Sequence, residues 1–173
     1  MALTPEQLAL LDKVQADGEA LHRQLGVCAR TTLLAVSRNL DLGSDEAVDG
    51  ALKSALPLSG GIAGTGNECG ALIGGIMAIG MGLIDYDPRT KNPDGTKPAT
   101  STSKKFFRWF EKEIGHANCY DIRDVNLGRF FDRVDPVENQ KYIEAGGNEL
   151  CAGIVGKAAR KAAEMILEAR NSQ

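Results

Sequence analysis

The sequence lacks the motifs by which most cysteine chemistry is identified. Its 173 residues include four cysteines, and no two of them form a CxxC pair. That absence excludes a zinc ribbon and a thioredoxin-type active site, and the absence of CxxCH excludes covalently attached haem. No P-loop, dinucleotide fingerprint or Ser-His-Asp set is present. Neither nucleotide-dependent chemistry nor serine-hydrolase chemistry therefore finds support in the sequence.

Long hydrophobic runs and stretches of one charge are also missing. The formal net charge is −3, and the basic residues are spread along the chain without interleaved aromatics, so we expect no nucleic-acid partner. The longest weakly polar stretch, residues 69–84, is rich in glycine and too short to span a bilayer. The N-terminal residues show neither a basic start nor an apolar signal core. We therefore expect a cytoplasmic protein without a membrane partner.

Strand patterns are absent as well. No stretch alternates apolar and polar residues, and none is rich in valine and isoleucine, whereas helical spacing of apolar residues recurs. We expect an all-α, single-domain bundle over residues 1–173, built from about six helices. Their predicted ranges are about 4–25, 27–40, 45–56, 68–84, 102–114 and 149–170.

The helix predicted over residues 68–84 is unusually rich in glycine. Its glycines include Gly70, Gly74, Gly75, Gly80 and Gly82. Each glycine costs about 1 kcal/mol in a helix relative to alanine, so this composition indicates that another backbone packs closely against the helix. We expect this helix to be central and to lie near the interface of a homodimer. The alternative is that the glycines serve packing within one chain.

Residues 85–100 are expected to form a surface loop. The segment is polar and contains three prolines and an Asp-Gly turn signal. We interpret it as an inert insertion, and the alternative is a role in partner docking or as a lid.

Four cysteines in a reducing compartment do not predict a structural disulfide framework. They are buried apolar residues, metal ligands or redox-active thiols. Each follows a glycine within four residues, and Asn67 and Asn148 are predicted N-caps that place two of them in a first helical turn. There the helix dipole favours a thiolate over a thiol. This shared context indicates one site formed by Cys28, Cys69, Cys119 and Cys151.

Other candidate ligands are few, because the chain has only two histidines. His116 lies three residues before Cys119, a spacing that allows a pair of ligands, but we interpret it as a solvated or capping residue. His22 is predicted to face a helix surface and to be inert. Glu68 and Glu149 adjoin cysteines, yet glutamates are common in first turns simply because they complement the helix dipole.

The stretch Gly66 to Gly74 reads GNECGALIG and contains C-G-A-x-x-G after a glycine-rich segment. With one cysteine upstream and two downstream, it resembles the C_GCAxxG_C_C family of redox-active proteins. The resemblance covers residues 27–170, a four-cysteine redox domain, while the helix at 1–25 and the loop at 85–100 look like local additions. The family is similar to the non-haem part of split-Soret cytochrome c, a helical dimer associated with an iron–sulfur centre.

The resemblance implies that all four cysteines ligate an iron–sulfur cluster and that the protein transfers electrons to a partner protein. Gly70 and Gly74 would let the backbone approach this cofactor where a larger side chain would collide. Two alternatives stay open. One is metal-free thiol–disulfide chemistry by a pair such as Cys69 and Cys151, and the other is a structural zinc ion.

Overall fold

A computed structural model describes residues 3–172. Over that range the protein is all-helical, with eight α-helices and no strand, so the predicted fold class is confirmed and the predicted number of about six helices is wrong. None of these helices combines the length and the apolar character that crossing a membrane requires. The helices are α1 (Pro5–Leu25), α2 (Cys28–Ser37), α3 (Asp45–Ala55), α4 (Gly70–Leu83), α5 (Pro93–Ile114), α6 (Cys119–Leu127), α7 (Pro136–Glu144) and α8 (Gly147–Arg170).

The two helices that the sequence analysis did not predict, α6 and α7, have nine residues each. Both are too short to show a clear apolar period, and both depend on N-caps. The Asn118 side chain accepts a hydrogen bond from the backbone N–H of Asp121, and the Asp135 carboxylate accepts from those of Val137 and Glu138. Local capping, more than amphipathic pattern, therefore defines these helices.

The predicted surface loop at 85–100 is corrected by α5, which begins at Pro93. The Asn92 side chain accepts a hydrogen bond of 2.9 Å from the backbone N–H of Gly95 and so caps this helix. Proline is well suited to the first helical position because its missing N–H would have no partner there. Pro98 lies inside the helix, only one turn further on. Pro93 thus begins a helix, and Pro98 near its start does not interrupt it.

The helix with the largest set of neighbours among the described residues is α8. Much of its buried surface consists of alanine, including Ala152, Ala158, Ala159, Ala162 and Ala163. Small side chains allow helices to approach on several sides. Accordingly, α8 packs against α1, α2, α4, α5, α6 and α7, whereas the glycine-rich α4 packs mainly against α2, α5 and α8.

The glycines of α4 lie where neighbouring elements of the same chain approach it. A Cβ atom on Gly74 would collide with the carbonyl oxygen of Ala29 in α2, and one on Gly75 would collide with the ring of Phe106 in α5. A Cβ atom on Gly70 would lie 3.1 Å from the Cβ of Cys28. These close approaches bring the starts of α2 and α4 together.

Candidate metal and redox site

All four cysteines line one buried cavity of about 10 Å³. Two of them, Cys28 and Cys119, are the first residues of α2 and α6. Cys69 immediately precedes α4, and Cys151 lies in the second turn of α8. The remaining lining residues are Ala71, Ile122, Arg123 and Ile154. The structure therefore brings together all four cysteines that the sequence analysis singled out.

The backbone positions two of these cysteines directly. The N–H of Cys69 donates to the carbonyl oxygen of Ala117 at 2.8 Å, and the N–H of Cys119 donates to that of Asn67 at 2.7 Å. These two bonds form an isolated antiparallel bridge between the segments that precede α4 and α6. The bridge holds the starts of both helices at the same end of the bundle.

Both predicted N-caps, Asn67 and Asn148, are wrong. Neither Asn67 nor Asn148 caps a helix: the Asn67 side chain donates to Thr65 Oγ1 at 2.9 Å, and Cys69 itself occupies the N-cap position of α4. Asn148 lies inside α8, because Gly146 adopts a left-handed conformation (φ 82°) and the helix begins right after it. Cys151 is consequently two residues further from the helix start than predicted.

Burial controls the ionisation of most of these thiols in the metal-free protein. Burial raises the pKa of Cys69 to about 12, although the backbone N–H groups of Ala71 and Leu72 act in the opposite direction. Burial likewise raises the pKa of Cys119. The prediction that each helix start favours a thiolate is therefore wrong for these two cysteines, since loss of hydration outweighs the helix dipole.

The sulfurs of Cys28 and Cys151 belong to one group of donor atoms that lie within 4.8 Å of one another. The neighbouring Cys151 sulfur raises the pKa of Cys28, and the neighbouring Cys28 thiol lowers the pKa of Cys151. The positive charge of Arg123 and the hydroxyl of Tyr142 also lower the pKa of Cys151. The Tyr142 hydroxyl lies 3.0 Å from the Cys151 Sγ atom and 2.5 Å from the carbonyl oxygen of Gly147. Cys151 is thus the sulfur most suited to carry negative charge.

A buried cation, Arg123, also lines the cavity, and the sequence analysis did not identify it. This residue is 1% exposed, and its Nε and Nη2 atoms have no hydrogen-bond partner among the described residues. Its Nη1 atom lies 3.5 Å from the carbonyl oxygen of Phe131. A buried guanidinium without a carboxylate is costly unless negative charge lies nearby. Its position four residues after Cys119 on α6 is the sequence signal that places it on the same helix face.

His22 was predicted to be inert on a helix surface, and that prediction is wrong. The residue is 2% exposed, and one of its ring nitrogens, with the sulfurs of Cys28 and Cys151, forms a group of donor atoms within 4.8 Å of one another. The sequence signal was its spacing of four from Gly18 and eight from Val14, both of which are buried on α1. In contrast, the His116 side chain is 41% exposed and lies 3.9 Å from Asp121.

Neither Gly70 nor Gly74, the two predicted cofactor-binding glycines, lines the cavity. Their missing side chains make room for Ala29, Thr32 and Cys28 of α2. The structure therefore gives both glycines a packing role that positions the cysteines, and a contact with a cofactor stays a prediction.

A family model described as "Putative redox-active protein (C_GCAxxG_C_C)" matches residues 27–165. The chain belongs to this family. The matched segment contains all four cysteines and confirms the resemblance drawn from the C-G-A-x-x-G motif. It begins after α1, so that His22 lies outside it. Comparison with curated proteins and with solved structures found no match.

Proposed function

We propose that this protein is a small redox protein whose four cysteine thiolates bind an iron–sulfur cluster for electron transfer. The observation that carries the proposal is the single buried cavity that all four cysteines share with the unpaired guanidinium of Arg123. Membership in a family described as redox-active agrees with it.

The donor set suits such a group. Four thiolates are soft ligands of the kind that iron–sulfur clusters and zinc bind. When bound, a cluster would supply a centre that accepts and releases single electrons. Thiolate ligands make the site anionic, and Arg123 offers positive charge in the same cavity. A volume of about 10 Å³ is about that needed for one water molecule. A cluster is larger, so the cysteine side chains would have to move apart to bind it.

The residues around the sulfurs would tune a bound centre. The Tyr142 hydroxyl, 3.0 Å from the Cys151 Sγ atom, and the Arg123 guanidinium both favour additional negative charge at the site. Such contacts stabilise the reduced state and therefore raise the reduction potential. Burial of all four cysteines keeps water away from the ligand atoms.

The His22, Cys28 and Cys151 group favours a second candidate, a single metal ion such as zinc. Their donor atoms lie within 4.8 Å of one another, a spacing that a tetrahedral ion with bonds of about 2.0–2.3 Å can bridge after small movements. A metal-free dithiol is the remaining alternative. The short separation of the Cys28 and Cys151 sulfurs, within 4.8 Å, favours these two residues as its pair over the Cys69–Cys151 pair expected from sequence.

Metal and sulfide content of protein purified without oxygen separates these functions. We expect iron and acid-labile sulfide together with a brown chromophore, and we expect Cys69→Ser and Cys151→Ser to lose both, because a hard hydroxyl replaces a soft thiolate. Ala162→Ser is the matched control, since it adds the same hydroxyl to a buried position of α8 away from the cavity. Stoichiometric zinc without sulfide would establish the second candidate, and absence of any metal would leave the dithiol.

The predicted homodimer stays a prediction. Other residues of the same chain fill the space beside Gly74 and Gly75. This supports the alternative that these glycines serve intrachain packing. Gly80 differs, because a Cβ atom there would meet no atom of the described residues within 4 Å. Light scattering on the unmodified protein decides the matter: a monomeric mass across the micromolar range would rule out the dimer.

A further inference from the structure

We infer that α1 is part of the metal site and that His22 supplies an imidazole ligand beside Cys28 and Cys151. The inference rests on the proposal that these cysteines hold a metal. The matched family segment begins at residue 27, so the family description assigns nothing to α1. The site of this chain would therefore combine thiolate donors from the family segment with a nitrogen donor from outside it.

The placement of His22 differs from that of a surface histidine. All three donor residues of the group are buried, and their donor atoms lie within 4.8 Å of one another. A buried imidazole among thiols has few other roles, because a polar ring that is removed from water needs partners for its nitrogens. Here one partner is the hydroxyl of Thr31, and the two sulfurs lie within 4.8 Å of a ring nitrogen, which a bound metal would join to them.

The hydroxyl partner prepares the ring for metal binding. His22 Nδ1 lies 3.4 Å from Thr31 Oγ1, and that hydroxyl lies 3.2 Å from the carbonyl oxygen of Val27, to which it donates. With its proton directed to Val27, the hydroxyl oxygen is placed to accept from an Nδ1–H group, and we assign this tautomer to His22. This tautomer leaves the Nε2 lone pair free, which is the arrangement that orients metal-binding histidines in proteins. Thr31 stands three residues after Cys28 on α2, so the same helix supplies a ligand and orients another.

Close packing of α1 on α8 fixes the depth of the imidazole. A Cβ atom on Gly18 would lie 3.2 Å from the Cα atom of Gly156, so the two helices cross where neither has a side chain. His22 follows Gly18 by one turn, on the same face of α1. One residue further, Arg23 Nε donates to both carboxylate oxygens of Glu149, at 3.1 and 3.0 Å. The end of α1 is thereby held beside the start of α8, two residues before Cys151.

An imidazole ligand changes the charge of the site. At a metal that His22, Cys28 and Cys151 share, a neutral imidazole leaves the bound centre less negative than a third thiolate would, and replacing cysteine by histidine raises the potential of two-iron clusters. A nitrogen ligand from α1 would therefore set the potential of this protein above that of an all-cysteine site.

Cobalt tests the ligand without an iron–sulfur cluster. Reduced protein without other metals is loaded anaerobically with one equivalent of Co²⁺, and thiolate-to-cobalt charge-transfer absorption and imidazole nitrogen coupling in pulsed electron paramagnetic resonance are recorded. Isotopic labelling of histidine in the wild type identifies the nitrogen without any substitution. His22→Gln keeps a polar side chain of similar size, and His116→Gln is the matched control at the exposed histidine.

We expect charge-transfer absorption in all three proteins and label-sensitive nitrogen coupling in the wild type and His116→Gln, with loss of that coupling in His22→Gln. Co²⁺ affinity should fall at least about tenfold in His22→Gln. Loss of a residue that only hydrogen-bonds to a metal ligand already lowers metal affinity by about tenfold, so loss of a ligand should lower it at least as much. Coupling that persists in His22→Gln, absence of coupling in wild type that shows charge transfer, or absence of charge transfer altogether would overturn the inference. Sulfide content tests the cluster separately, since protein that binds cobalt through His22 but contains no sulfide would retain this ligand and lose the proposed cluster.

Discussion

Arg123 places its guanidinium over the ring of Tyr142, with 4.8 Å between Cζ and the ring centroid. The hydroxyl of that same ring lies 3.0 Å from the Cys151 Sγ atom. The Arg123 guanidinium thus stacks on the ring of Tyr142, and both residues favour negative charge on the Cys151 sulfur. The arrangement can be tested from both sides, because each residue can be replaced by an apolar one of similar shape.

Replacing Arg123 should change the stability of the metal-free protein little and the reduction potential of the metal-loaded protein more. For Arg123→Met we expect the metal-free protein to stay within about 2 kcal/mol of the wild type, because removal of a buried charge offsets the lost stacking. In the metal-loaded protein the reduction potential should fall, since less positive charge faces the ligands. Urea unfolding and a redox titration measure the two effects.

Arg129→Met is the matched control for this substitution. Arg129 also stacks over an aromatic ring, that of Phe131 at 4.4 Å, but it is exposed and pairs with Glu138 outside the cavity. An equal fall in potential in both variants, or none in Arg123→Met, would contradict the assigned role of Arg123.

Removing the phenol hydroxyl should weaken both the fold and the site. Tyr142→Phe leaves the buried carbonyl oxygen of Gly147 and the Cys151 sulfur without this donor, so we expect a loss of about 1–2 kcal/mol in the free energy of unfolding. The reduction potential of loaded protein should also decrease. Tyr120→Phe, which removes the hydroxyl of a half-exposed tyrosine, should change neither quantity. Unchanged stability in Tyr142→Phe would show that the hydroxyl bonds contribute nothing.

Two glycines of α4 should respond in opposite directions to the same substitution. In Gly74→Ala the added methyl group meets the Ala29 carbonyl, so we expect the protein to lose about 1–3 kcal/mol of stability. In Gly80→Ala the methyl group enters open space, and we expect a gain of about 0.5–1 kcal/mol because alanine is the better helix former. Thermal and urea unfolding of both variants give the comparison. A loss of similar size at both positions would indicate that Gly80 also faces a packed surface, such as a second copy of the chain.

Mild oxidation of the metal-free protein should join Cys28 to Cys151. Their sulfurs lie within 4.8 Å of one another, and the pKa of Cys151 is lowered. When added peroxide oxidises Cys28 to a sulfenic acid, the Cys151 thiolate can attack that sulfur and release water. Peptide mapping by mass spectrometry identifies the linked pair, and the oxidised protein should no longer take up metal. If a disulfide between Cys69 and Cys119 forms before the Cys28–Cys151 disulfide, this prediction is wrong.

Local signals in the sequence predicted the fold class, most helices and the four cysteines of the site. Helix periodicity acts within a few residues, and the C-G-A-x-x-G motif is equally local. The start of α5 was missed because proline both begins helices and interrupts them.

His22 and Arg123 could not be predicted in the same way. Spacing places His22 on one face of α1 with Gly18, and Arg123 on one face of α6 with Cys119. Spacing does not say which face turns inward, because that depends on the partner helix. The crossing of Gly18 with Gly156 and the bridge before α4 and α6 decide it, and both join segments that are distant in the sequence.

The convergence of the cysteines from distant helices also has a consequence for the unfolded chain. A metal shared by Cys28 and Cys151 would close a loop from residue 28 to residue 151, which is most of the polypeptide. Cross-links that close long loops remove the most entropy from the unfolded ensemble. Ligands so far apart are assembled only by tertiary structure, so the free energy of metal binding is added to the free energy of folding. The bound metal would act as a cross-link between the two ends of the fold, so that metal release and unfolding would occur together.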